Sequence, residues 1–131
     1  MKKVLLVVVA MLAISVSGKA QADAEFVGWM KGIAAANGSL RKNVEGKMGA
    51  EAAADATKIA DLLGKVKAHF DAKKSHGAMM AGEAQAAFAK VAEAAKAGDA
   101  TEALKTAGAT CGGCHNAHRE KAADGSYTIK Y

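Results

Sequence analysis

The chain has no proline among its 131 residues, only six aromatic side chains, and only two cysteines. Without proline nothing breaks a helix from within, and the scarcity of aromatic and β-branched residues beside abundant alanine argues against strands. The expected class is therefore all-α. Two cysteines separated by two residues would close too small a loop to staple a fold, which excludes a disulfide framework. Basic residues exceed acidic ones, 18 to 13, yet no basic patch with interleaved aromatics appears. Nucleic acid is not an expected partner.

One long apolar run is present, and it lies at the N-terminus. Lys2 and Lys3 precede the unbroken run Val4 to Ile14, and Ala20-Gln21-Ala22 follows as an A-x-A cleavage site. This is the pattern of a secretory signal peptide over residues 1–22, and the run is well short of the ~20 residues a membrane span needs. Cleavage there leaves residues 23–131 as a single exported domain. Lys2, Lys3 and Lys19 leave with the leader and no acidic residue does, so 15 basic residues remain against 13 acidic.

The exported part reads as four helices. The first is expected from about Ala24 to Glu45, with Phe26, Met30, Ile33, Asn37, Leu40 and Val44 at spacings of four and three and Gly46 as its stop. Asn37 interrupts this apolar seam and is expected to face a polar rim or a hydrogen-bonding neighbour. A second helix, about Ala50 to Ala72, carries Ala52, Ala56, Ile59, Leu63, Val66 and Phe70 on one face, with Lys58, Asp61, Lys65 and Lys67 left for solvent. After the break Lys73 to Gly77, the third helix is expected to begin near Gly82, to carry Ala84, Phe88, Val91 and Ala95, and to stop at Gly98. Asp99, with Glu102 three residues on, resembles a capping box for a fourth helix reaching about Ala123. Short connections make an antiparallel four-helix bundle the expected architecture. Its seams are rich in alanine and bury little apolar surface per residue.

The chemistry concentrates in Cys111-Gly112-Gly113-Cys114-His115. In an exported protein the run C-x-x-C-H is a site of covalent haem attachment, with both thiols forming thioethers and the histidine binding iron. On a helix these three side chains share one face. A thioredoxin-like dithiol would need a strand feeding the helix in a βαβ pattern. A zinc site would crowd Cys111, Cys114, His115 and His118 into little more than two turns to reach four ligands. One covalent haem c is the expected cofactor.

With that motif on its last helix, the sequence resembles the class II c-type cytochromes, the cytochrome c prime family. Ala97-Gly98-Asp99 looks like the family's turn, and Cys111 to Arg119 looks like its C-x-x-C-H-x-x-[aromatic]-R ending, with His118 where Tyr or Phe is usual. No methionine follows His115, so a second axial ligand must come from upstream. In the family, the residue over the far face of iron lies about four turns before the glycine that ends the first helix. Carried onto this sequence, that position is Met30, and Phe26 stands where gas-binding members tend to have Arg. Met48, Met79 and Met80 in the connections, or His69 and His76, are the competing ligands. His118 is too near His115 to reach the opposite face.

The resemblance implies a periplasmic monohaem cytochrome that carries single electrons between redox partner proteins and is not an enzyme. Cys111 and Cys114 would anchor the haem, with His115 and Met30 as axial ligands to iron. Arg119 would lie near the proximal face, tuning His115 or a haem propionate, or else act only as a cation at the helix end. The alternatives are five-coordinate iron shielded by Met30, as in a protein that binds gases or handles nitric oxide, and a haem-free dithiol or metal-binding bundle. The resemblance implies a monomer or a homodimer, the latter paired through the first two helices as is often so in the family.

Overall fold

A computed structural model describes residues 18–131, with side chains from Ala24 onward. The charged and apolar parts of the expected leader, Lys2 to Ile14, lie outside the described residues. Four helices follow in order: α1 (Gly18–Glu45), α2 (Gly49–Ala72), α3 (Gly77–Ala97) and α4 (Thr101–His118). Each packs on its neighbour in sequence, and α1 also touches α4. No helix among the described residues is long and apolar enough to cross a membrane.

The seams of α2 and α3 are placed as their periodicity requires. Ala52, Ala56, Ile59, Leu63, Val66 and Phe70 are all buried, as are Ala84, Phe88, Val91 and Ala95. From α1, Phe26, Ile33 and Leu40 join this core while Met30 and Val44 are half-buried against it. The only fully buried side chain of α4 is Ala107. Lys58, Asp61 and Lys65 are exposed, as a solvated face predicts.

Three boundaries differ from the sequence expectation. Helix α1 starts at Gly18, ahead of Ala24, because the Ala, Gln and Asp residues between contain nothing that stops a helix. Helix α3 starts at Gly77, not near Gly82. There the buried Ser75 hydroxyl accepts the Gly77 N–H at 3.2 Å and the Ser75 carbonyl accepts that of Ala78 at 3.1 Å, so Ser75 opens the helix. Met79 and Met80 consequently lie in the first turns of α3. Helix α4 ends at His118, short of Ala123.

The last change comes from a strand pair that the lack of any alternating pattern concealed. β1 (Arg119–Lys121) and β2 (Tyr127–Ile129) pair antiparallel, with Arg119 opposite Ile129 and Lys121 opposite Tyr127. The turn between them is built by the Asp124 carboxylate, which accepts the Ser126 N–H at 2.9 Å, and by Gly125 at φ 86°. Both strands are short, so period-two patterning has almost no length in which to show.

The connection into α4 does not form the expected capping box, because the helix is entered through Ala100, which makes no side-chain cap. Gly98 takes the left-handed conformation at φ 115° and closes α3. The Asp99 carboxylate accepts the Thr101 N–H at 2.9 Å, whereas the hydrogen bonds among the described residues include none from Glu102 back to Asp99.

Candidate functional site

A cavity of about 440 Å³ lies where the four helices meet the hairpin, within the size range of small-molecule and cofactor pockets. Its walls include Phe26 and Ile33 from α1, Leu63, Val66 and Phe70 from α2, Ala81 and Ala84 from α3, and Ile129 from β2. The small alanines of α3 are what leave room there.

Cys111, Cys114, His115 and His118 line the cavity from α4 and Met30 lines it from α1. The i, i+3, i+4 spacing of the motif puts both thiols and the imidazole on the single inward face of α4. The proposed ligand set from sequence is thus brought together on one space. The competing candidates are not. His69 accepts or donates a hydrogen bond with the Tyr131 hydroxyl at 2.8 Å, and His76 stacks on the His118 ring. Met48 and Met79 are exposed, and the Met80 methyl group lies beside Gly113, outside the cavity lining.

Burial sets the protonation of the motif. It pushes both thiols up, opposed at Cys111 by a hydrogen bond with Thr110 and reinforced at Cys114 by the neighbouring Cys111. It pulls His115 down, and the Arg119 cation pulls it further. At neutral pH the thiols are protonated, unlike the activated thiolates of dithiol oxidoreductases, and His115 is a neutral imidazole with a lone pair to give. The two sulfurs are not joined as a disulfide. Among the described residues, no group of three or more His, Cys, Asp or Glu side chains is placed to hold a metal ion, so the four ligands of a protein-only zinc site are not assembled.

Two features were hidden from the sequence. The first is charge: Lys31 and Arg119 line the cavity, no Asp or Glu does, and neither cation has an ion-pair partner among the described residues. The Arg119 guanidinium instead lies over the Tyr127 ring, 4.3 Å from its centroid. The second is a pair of buried acceptors without partners, Asn37 Oδ1 and His118 Nε2, on residues that both line the cavity. Asn37 was expected to find a rim or a hydrogen-bonding neighbour, and among the described residues its oxygen has neither. The Asn37 side chain lies two turns beyond Met30 on the same face of α1, which is why it reaches the cavity instead. An apolar space with cations and polar groups at its margins suits a large apolar ligand bearing anionic groups.

Comparison of the sequence and fold with family models, with characterised proteins and with solved structures gave no match.

Proposed function

We propose that the protein is a c-type cytochrome of the class II kind, an antiparallel four-helix bundle exported to the periplasm that carries one electron at a time between redox partner proteins. The observation that carries this reading is that Cys111, Cys114, His115 and Met30 line one apolar cavity, while the rival ligands do not.

The residues present fit a haem. Cys111 and Cys114 supply the thiols for two thioether bonds, His115 offers one axial lone pair, and the Met30 thioether offers the other. Phe26, Val66 and Phe70 keep water from the site, and Lys31 and Arg119 favour the two carboxylates. Bound there, haem supplies a one-electron couple at iron, and methionine opposite histidine favours the ferrous state and raises its potential. With both axial positions filled by the protein, the site has no place for a substrate, and the role is electron transfer.

A second reading is favoured by Asn37. A buried polar group on the Met30 side is the kind of feature that stabilises a small ligand on five-coordinate iron, with Met30 acting only as a shield.

The test is the pyridine haemochrome of the exported protein. Bands of c type that disappear in the Cys111→Ser/Cys114→Ser double variant support covalent haem, and their absence from the wild type overturns it. Ferrous protein that is high-spin and binds carbon monoxide at once would select the second reading.

A further inference from the structure

We propose that His118 Nε2 is the contact for one carboxylate of the ligand in the cavity, and that the C-terminal hairpin exists to aim it. This rests on the haem reading and deepens it by placing one edge of the dianionic macrocycle.

The ring is fixed in orientation and tautomer. His118 Nδ1 lies 2.8 Å from the Lys130 carbonyl oxygen, and because a carbonyl can only accept, Nδ1 carries the proton. Nε2 therefore bears a lone pair. It is buried and has no partner among the described residues, although the side chain lines the cavity. The ring cannot swing out to find one. Phe70 lies against it at 5.2 Å between centroids, His76 stacks on it at 6.2 Å, and the Lys130 N–H returns to the His118 carbonyl at 2.8 Å.

The ligand carboxylate completes this arrangement. An O–H bond of a solvent hydronium ion breaks as an Nε2–H bond forms, releasing water and leaving an imidazolium whose two N–H groups are bonded to the Lys130 carbonyl and to the carboxylate.

The surroundings leave that carboxylate to the ligand. From the turn before α3 His118 faces His76, from β1 Arg119, from just after β2 Lys130, across Phe70 Tyr131, and from its own helix Cys114 and His115. None is acidic. Across the cavity, α1 contributes Lys31. Phe at this position, usual with Tyr in the family that the sequence resembles, could not contact the carboxylate, and Tyr could donate to it only as a neutral phenol.

The test is ¹⁵N NMR of the histidine side chains in the reduced, haem-loaded protein and in the haem-free protein. The expected result is a His118 Nε2 resonance that moves to the protonated type on loading. The imidazolium beside the carboxylate should also hold the midpoint potential above that of a variant without it. His118→Phe should therefore lower the midpoint potential, and His118→Gln, which keeps a side-chain donor, serves should the Phe variant fail to load. A bare-nitrogen or iron-bound Nε2 in loaded protein overturns the inference and leaves the haem reading standing. Exported protein that carries no covalent haem overturns both.

Discussion

His118 and Lys130 are bonded to each other twice across the end of α4. The Lys130 N–H donates to the His118 carbonyl at 2.8 Å, and the His118 ring pairs with the Lys130 carbonyl at 2.8 Å. This closes β2 onto the helix that carries the motif, so the hairpin is a wall of the cavity and not a loose tail. Lys130→Pro removes the N–H and keeps the carbonyl. The expected loss is about 0.5–1.5 kcal/mol in urea unfolding, one net hydrogen bond, with faster hydrogen exchange across β1 and β2.

Gly77 opens α3 against the face of Phe70. A Cβ there would lie 2.6 Å from the ring, and Phe70 is a fully buried side chain that cannot retreat. Gly77→Ala should cost about 1–3 kcal/mol as overpacking. Gly38, inside α1 with nothing within 4 Å of an added Cβ, should behave oppositely, Gly38→Ala stabilising by about 0.5–1 kcal/mol. The order of the urea midpoints of the two variants and wild type checks both.

What the sequence revealed depended on length. The α2 seam runs about five turns, and each of its six apolar positions is buried. The motif was legible because i, i+3, i+4 spacing fixes a shared face whatever surrounds it. The start of α3 was missed because its signal is one hydroxyl, Ser75, in a stretch that resembles any polar turn. The hairpin was missed because three-residue strands carry no readable period, although Asp124-Gly125 before Tyr127-Thr128-Ile129 is a turn followed by strand-forming residues. The pairing of His118 with Lys130 depends on that hairpin. No pattern within α4 could have announced it.

Asn37 Oδ1 is buried in the protein without a donor among the described residues. Leaving such an acceptor unmet costs about 1–3 kcal/mol. Asn37→Leu should therefore stabilise the haem-free protein by about that amount in urea unfolding, while extending the apolar wall beside Met30.

Asp99 gives a pH dependence of known sign. The Thr101 backbone N–H, then its hydroxyl, hold the carboxyl below its usual value, so ionised Asp99 stabilises the folded state. That contribution is fully present above the ordinary carboxylate pKa of about 3.9 and is lost as pH falls through the lower folded-state value. Asp99→Asn keeps an acceptor for the Thr101 N–H and should remove this part of the acid sensitivity; Asp99→Ala should lower stability at neutral pH as well. Urea midpoints at pH 7 and pH 3 distinguish the three proteins.

The central claim is that Met30 on α1 and His115 on α4 bind one iron from opposite walls of the cavity. Oxidised and reduced optical spectra of the haem-loaded wild type beside Met30→Ala test it most directly. The account predicts a low-spin wild type with a methionine-to-iron charge-transfer band in the oxidised form, and loss of both in the variant while the covalent haem is retained. A variant with the spectrum of the wild type would contradict it.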